Sequence, residues 1–190
     1  MSNERVDVGA WLVPGARWFV RTADFDAEDD YEIVIRAVDP FAIAWGFAGK
    51  GERPWTEEGA ATFGPDAPVD GDGVVFLSQG TAMARDDDDG LSGPFARHTP
   101  PFLVSRRTLA SLHAGTPARF TIYGEDVELE RVGSGVIPVP VNDGVHPVQV
   151  VHAAGGDVSV WIVDHPTFPV LLRAEFQGDN QVLVERIVTP

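Results

Sequence analysis

Apolar and polar residues alternate along much of this chain, as they do in strands that bury one face and expose the other. In the run YEIVIRAVDP, Tyr31, Ile33, Ile35 and Ala37 fall on one face, while Glu32, Val34 and Arg36 fall on the other. In the second half of the chain, short apolar runs follow one another, each bounded by turn residues such as NDG, AGGD and QGDN. This pattern predicts a mainly β fold with a mostly antiparallel sheet.

One segment has a helical pattern instead. In SRRTLASLHAG, Leu109 and Leu112 fall on one side of a helix. Ser105 is a suitable N-cap before them, and Gly115 is a suitable stop behind them. The sequence therefore predicts one short helix near residues 105–114, which must pack against the sheet because so short a helix is not stable alone.

Three stretches are rich in acidic residues, glycine or proline and are typical of loops. The acidic run DFDAEDD, at residues 24–30, separates the first two predicted strands. Residues 48–73 predict long loops around one short strand, and residues 85–101 predict another long loop, which includes four consecutive aspartates. Because 190 residues fit one domain of ordinary size, we predict a single β-rich domain over residues 1–190.

The composition is sufficient for an apolar core and argues against nucleic acid as a partner. Apolar residues make up 44% of the chain, with five Trp and eleven Phe, so a core can form without disulfides; the chain contains no cysteine. The formal net charge of -15 repels phosphate backbones and anionic lipid headgroups, so we expect no nucleic-acid partner. No apolar run reaches the ~20 residues that a bilayer span needs.

The first residues of the chain bear on its location. MSNERVDVGAWLVPGARW lacks the basic and apolar regions of a signal peptide, which predicts a cytoplasmic protein. A chain from which a leader had been removed would begin in the same way, and its location would then be the periplasm or the envelope. The absence of cysteine does not discriminate between these compartments.

The order of segments in the second half resembles a known architecture. From about residue 100 to the end, a helix ending in LHAGTPARF is followed by a hairpin around YGEDVELERVG and by VPVNDGVHPVQVVHA, VSVWIVDHPTFPVLLRAEF and QVLVERI. This order is similar to the closing half of bacterial envelope domains with a lipoprotein-carrier-like half-barrel. In those domains a strand ends in a Trp-hydrophobic-Asp element, crosses a proline-containing corner and returns as an apolar strand. The comparable residues here are Trp161, Asp164, Pro166, Pro169 and Leu171.

The resemblance implies a strongly curved sheet or half-barrel, with an apolar concave side that a helix partly fills. It also implies a non-catalytic binding or scaffold domain that holds a hydrophobic small molecule or a protein partner, with no cofactor. The abundance of Trp and Phe, without a recognisable catalytic set, favours the same function. The residues expected to contact the ligand are Trp18, Trp45, Trp161, Phe168 and His165.

Two other functions are compatible with the residues. An acidic protein-interaction module, of the inhibitor or immunity type, would present the 24–30 stretch and the aspartate run to a basic surface. That run is Asp86, Asp87, Asp88 and Asp89. A hydrolase or metal-dependent enzyme would instead need His and Asp side chains that the fold brings together. Its residues would be His146, His152, Asp164 and His165. His146 and His152 have the same parity, but we expect Pro147 to interrupt a central strand between them.

The connection DHPTFP, between two apolar strands, is longer than a two-residue hairpin turn. Pro166 and Pro169 restrict their own backbone and that of the residues before them, which predicts a rigid structural corner. Asp164 is placed to cap this corner by accepting backbone N–H groups, and Phe168 to plug one end of the sheet. On this interpretation the side chain of His165 has no structural role.

Overall fold

The alternating segments of the sequence form strands in the computed structural model. The residues that it describes are 6–24, 27–47, 56–63, 91–92, 104, 106–122, 125–176 and 181–190. Within these residues a short 3-10 helix precedes eleven strands, and one α-helix lies between the fifth and sixth strands. The elements are η1 (Val8–Trp11), β1 (Arg17–Asp24), β2 (Ala27–Val38), β3 (Phe41–Phe47), β4 (Thr56–Phe63), β5 (Leu91–Ser92), α1 (Arg106–His113), β6 (Ala118–Ile122), β7 (Glu125–Val141), β8 (Gly144–Gly155), β9 (Val158–Val163), β10 (Leu171–Glu175) and β11 (Gln181–Val188).

The strands form one large curved sheet, which is mostly antiparallel. In the described part of the chain the order is β5-β4-β3-β2-β1-β11-β10-β9-β8-β7-β6, so the last strand lies beside the first. The sheet also curls back on itself, because Ile187 in β11 pairs in parallel with Val141 in β7. Strands β7 to β11 therefore close into a ring, and β1 to β5 extend the sheet beyond it. The predicted mainly β class, with a curved sheet and one short helix, is confirmed.

The turn between β7 and β8 holds this ring closed. Asn142 has a left-handed backbone with a φ of 50°, and its N–H donates to the Ile187 carbonyl at 2.9 Å. The Asn142 side chain makes two further bonds to Thr189. Its Nδ2 donates to the Thr189 hydroxyl and its Oδ1 accepts from the Thr189 N–H, both at 2.9 Å. Asparagine tolerates a positive φ better than most residues, so one side chain serves both the turn and the closure.

One face of the sheet carries a continuous apolar core. Tyr31, Ile33 and Ile35 are buried on that face, as the alternation predicts. Trp18 and Trp45 are 0% exposed and belong to the same cluster, together with aliphatic side chains from every strand of the ring. Each large apolar side chain contributes on the order of 1.5–3 kcal/mol when fully buried. This shared core therefore joins the ring to strands β1 to β3.

The helix has the predicted place and the predicted buried face. Leu109 and Leu112 are buried, and α1 ends at His113, two residues before Gly115, whose φ is 72°. Ser105, the predicted N-cap, lies outside the described residues. No helix in the segments that the structure describes is long and apolar enough to cross a bilayer.

In the acidic stretch 24–30, Asp24 and residues 27–30 belong to strands and not to the loop that the composition predicts, while residues 25 and 26 lie outside the described residues. β1 runs to Asp24, and β2 already begins at Ala27. Asp30 is opposite Arg21 in the pairing of the two strands, and the side chains form an ion pair with an N–O distance of 3.3 Å. Opposite charges on facing strands favour pairing, so acidic residues continue the strand here.

Other segment boundaries also differ from those predicted. ELERVG, the end of the predicted hairpin, and VPV, the start of the next predicted segment, belong to one strand, the 17-residue β7. Gly133, at the end of ELERVG, lies at a bulge in the pairing with β8, where the register shifts between Arg131 and Gly133, and not at a turn. β4 lies within residues 48–73, where one short strand is expected, and β5 lies within 85–101.

The prediction that Pro147 interrupts a central strand is wrong. Pro147 lies inside β8, opposite Pro138 of β7. On its other side β8 pairs with β9 only between Val150 and Gly155. Proline has no backbone N–H to donate. Pro147 is tolerated because β8 is not paired with β9 at this position, so no N–H is needed there.

Candidate binding site at the corner after β9

The corner between β9 and β10 is fixed by backbone hydrogen bonds. The N–H of Val163, the last residue of β9, donates to the Val170 carbonyl at 2.8 Å and closes the corner. The next N–H, that of Asp164, donates to the Gln149 carbonyl of β8 at 3.0 Å. The Pro169 carbonyl accepts from the Val104 N–H at 2.9 Å. The last two bonds hold the corner against two other parts of the chain, β8 and Val104, which precedes α1.

The side chain of His165 caps the corner from inside. Its Nδ1 accepts the backbone N–H groups of Thr167, at 3.2 Å, and Phe168, at 3.0 Å. The prediction that His165 has no structural role is therefore wrong, since it accepts backbone N–H groups as Asp164 was expected to do. A ring nitrogen that accepts two N–H groups carries no proton, so the proton of the neutral imidazole is on Nε2.

The other nitrogen of this ring is directed toward the N-terminal segment. His165 Nε2 lies 3.4 Å from Asp7 Oδ1. The same oxygen accepts the Gly9 N–H at 2.9 Å, so Asp7 is the N-cap of η1. Gly9 makes room for this arrangement, because a Cβ atom there would lie 2.9 Å from Asp7 Oδ1 and 3.5 Å from His165 Nε2.

A second His–Asp pair attaches the helix to the corner. His113, in the last turn of α1, places Nε2 2.9 Å from Asp164 Oδ1. The Asp164 side chain is only 24% exposed, whereas that of Asp7 is 74% exposed. His113 and Asp7 thus reach the corner from two distant parts of the sequence, and they contact two adjacent residues of it, Asp164 and His165.

A pocket of about 210 Å³ lies between the N-terminal segment, β8 and the corner. We call it the corner pocket. It is lined by Val6, Asp7, Val8, Gln149, Val163, Asp164, His165 and Pro166. Four of these residues are apolar and four are polar, which is the combination of apolar walls and few fixed polar groups that small-molecule sites have. Its volume is below the ~300–1,000 Å³ of pockets for drug-sized ligands, so it suits a smaller molecule.

The aromatic residues predicted to contact a ligand have different locations. We call the face of the sheet that carries the apolar core the inner face. Trp18 and Trp45 lie in this core, and neither side chain exposes any surface. The Trp18 indole N–H is also engaged, with the Trp11 carbonyl at 3.4 Å. Phe168 is half-buried, and its ring centroid lies 5.4 Å from that of Phe41 and 6.0 Å from that of His165. Phe168 therefore packs between the corner and the edge of the core.

Trp161 lies in a stack on three neighbouring strands. The His152 ring of β8 is parallel to the Trp161 ring, with centroids 4.6 Å apart. The Arg173 guanidinium of β10 lies 5.0 Å from the Trp161 ring centroid. His152, Trp161 and Arg173 are direct partners in the strand register. Both faces of the Trp161 ring thus have neighbours from the sheet itself.

The histidines of the enzyme hypothesis are dispersed. His146 packs against the edge of Trp11, with centroids 5.5 Å apart, whereas His152 stacks on Trp161. Asp164 and His165 do meet at the corner pocket. Among the residues with described positions, no three His, Asp or Glu side chains are arranged to hold a metal ion. The four aspartates at 86–89, predicted to bind a protein partner, lie outside the described residues.

A buried carboxyl group lies elsewhere, on β2. Glu32 is only 5% exposed, and the Arg17 Nε atom lies 2.7 Å from its Oε1. The two atoms are close but not aligned for a hydrogen bond, so Oε1 has no hydrogen-bond partner. Burial raises the pKa of Glu32 above its ordinary value, although the charges of Arg17 and Arg186 lower it in part.

The corner pocket includes residues that the sequence does not identify as functional. Asp7 precedes a short apolar run, so its position as an N-cap gives a local signal. Gln149 gives none, because only the tertiary fold brings it to the corner. His113 is recognisable as a helix-end residue, but its contact with Asp164 depends on where the helix packs.

Comparison of the chain with protein-family models, with curated proteins and with solved structures gives no match. The resemblance to bacterial carrier-like half-barrels therefore stays a prediction. Any argument about function depends on the geometry of the chain itself.

Proposed function

We propose that this chain is a non-catalytic binding domain and that its ligand occupies the corner pocket. The observation that carries the proposal is that fixed polar groups border a small cavity with apolar walls. His165 is held by two backbone N–H groups, and Asp7 is held by the Gly9 N–H. Groups held in place before binding lose little entropy when the ligand arrives.

The state of His165 supports a binding role over a catalytic one. A general base needs a nitrogen that is free to accept a proton. Nδ1 already accepts two backbone N–H groups, and Nε2 carries the proton of the neutral ring. The ring can donate a hydrogen bond toward Asp7 and the pocket, but it is not prepared to remove a proton from a substrate.

The inner face of the sheet is a less suitable place for a ligand. Trp18 and Trp45, the largest side chains expected to line it, are fully buried against other core residues. A hydrophobic ligand there would have to displace contacts that stabilise the fold. The corner pocket needs no such displacement.

A fragment screen by NMR tests the proposal. Small neutral, cationic and anionic fragments are added to the ¹⁵N-labelled protein, and the amide shifts of Val6, Gln149 and Val163 are followed. We expect at least one fragment to shift these amides in a saturable way.

Two variants show whether such binding is in the pocket. Val6→Trp places a large side chain in the pocket wall and should abolish the shifts. Val132→Trp, at a 62% exposed valine of β7 that does not line the pocket, should leave them unchanged. A screen in which no fragment shifts the corner amides would overturn the proposed function.

A further inference from the structure

The corner pocket combines two carboxylates with apolar walls, and this combination selects among possible ligands. Asp7 and Asp164 both line it. An anionic ligand would be repelled by these groups and by the net charge of -15 on the chain. A cation would be attracted by both, and its approach would be favoured over longer distances.

Asp7 is the carboxylate best placed to meet a ligand. The Gly9 N–H donates to Oδ1, and His165 Nε2 lies 3.4 Å from the same oxygen. A carboxylate has about four acceptor positions on its two oxygens, so Asp7 can accept further donors at Oδ2. Its position is nevertheless fixed, because the Gly9 bond anchors the side chain.

The walls and the size define the rest of the ligand. Val6, Val8, Val163 and Pro166 are the aliphatic residues of the lining, and of these Val6 and Pro166 are not buried. The volume of about 210 Å³ allows only a small molecule. An ammonium group offers three N–H donors, and a short alkyl chain matches the aliphatic lining.

We propose that the corner pocket binds a small primary ammonium compound with a short aliphatic chain, its ammonium group on Asp7 and its chain against Val6 and Pro166. This inference depends on the proposed function, since it names the class of ligand for the same site. Charge-assisted hydrogen bonds to a carboxylate are stronger than neutral ones, so the charge of the ligand should decide its affinity.

Three probes of nearly equal size test the inference. Butylammonium, 1-butanol and butyrate are titrated separately into the ¹⁵N-labelled protein, and dissociation constants are taken from the shifts of the Val6, Gln149 and Val163 amides. For so small a ligand we expect butylammonium to bind in the millimolar range. Its dissociation constant should be about tenfold lower than that of 1-butanol, and butyrate should bind most weakly.

Two charge-removing variants complete the test. Asp7→Asn keeps an N-cap acceptor for the Gly9 N–H but loses the negative charge, and should weaken butylammonium binding about tenfold. Asp157→Asn removes a charge at an exposed turn residue away from the pocket lining, and should leave binding unchanged. Equal losses in both variants would mean that only the overall charge matters, which would overturn the inference.

The probes also separate this inference from the proposed function. If 1-butanol or butyrate shifts the corner amides at equal or lower concentration than butylammonium, the ammonium assignment is wrong while the pocket remains a binding site. If none of the three shifts these amides, the ammonium assignment is wrong, and the fragment screen alone decides whether the pocket binds anything.

Discussion

The inner face of the sheet and the corner pocket differ in what their side chains already contact. On the inner face, Trp18 and Trp45 are fully enclosed by other core residues. At the corner pocket, Asp7 and His165 are anchored by backbone N–H groups but border an open cavity. Trp18 and Trp45 therefore contribute to the core, and the open cavity lies beside the corner.

The largest expected effect is on the inner face. Trp18→Ala should lower the free energy of unfolding by about 3–5 kcal/mol, because it removes a fully buried aromatic ring and leaves a cavity. Urea unfolding measures the change, and Trp18→Phe provides a milder variant that should still fold. Trp161→Ala, at a half-buried position, should cost less than Trp18→Ala. If Trp18→Ala lowered the free energy of unfolding less than Trp161→Ala, Trp18 would not be the main core residue that its burial indicates.

The corner should respond to a smaller change in its cap. His165→Ala leaves the N–H groups of Thr167 and Phe168 without their acceptor and should cost about 1–2 kcal/mol. His165→Asn keeps an acceptor close to the position of Nδ1, so it should recover most of this loss. Urea unfolding of both variants provides the measurement. Equal costs would show that the ring packs there without capping the corner.

Space beside the Asp7 carboxylate provides a finer test. Gly9→Ala introduces a Cβ atom 2.9 Å from Asp7 Oδ1, so the carboxylate must move. We expect a stability cost of less than about 1 kcal/mol, as Asp7 is a largely exposed cap, with weaker binding of butylammonium. Gly133→Ala is the matched control, because its Cβ meets nothing within 4 Å. If Gly9→Ala and Gly133→Ala weakened butylammonium binding equally, the position of the Asp7 carboxylate would not determine binding.

The smallest effect concerns the buried Glu32, away from both regions. Because its pKa is raised in the folded state, the folded protein binds this proton more readily than the unfolded chain. Its contribution is therefore unfavourable at neutral pH and disappears as the pH falls below the ordinary pKa of glutamate. Glu32→Gln should be more stable than the wild type at about pH 7, with a difference that closes toward about pH 4.

Thermal or urea unfolding of both proteins across this pH range measures that difference. Arg36→Gln, at an exposed position of the same strand, is a control for changing a charge on β2. If the difference between Glu32→Gln and the wild type grew toward acid pH, the pKa of Glu32 would be lowered by its arginines and not raised by burial.

The faces of the strands and the helix were predictable because their signals are local. Ile33 and Ile35 are spaced at the strand period, with Glu32 and Arg36 on either side of them on the other face, and Leu109 and Leu112 follow the helical period. The acidic start of β2 was not predictable in this way, since it depends on pairing with Arg21 of another strand. Composition predicts a loop there, but the ion pair with Arg21 on the neighbouring strand stabilises a strand instead.

The candidate site was predictable only in part. The two prolines identify the corner as rigid, and His165 was included among the ligand contacts. Its capping role depends on the backbone geometry of the corner, which sequence spacing does not show. Asp7 and Gln149 join the corner pocket only through the packing of the N-terminal segment and β8. Trp18 was expected to line a cavity because a core residue and a cavity-lining residue have the same sequence signal.

The location of ligand binding tests the central claim most directly. Neutral, cationic and anionic fragments are titrated into the ¹⁵N-labelled protein, and the Val6, Gln149 and Val163 amides are compared with the indole N–H signals of Trp18 and Trp45. We expect the three corner amides to shift in a saturable way while both indole signals stay constant. Saturable shifts of the two indole signals, with the corner amides unchanged, would place the ligand on the inner face and contradict the account.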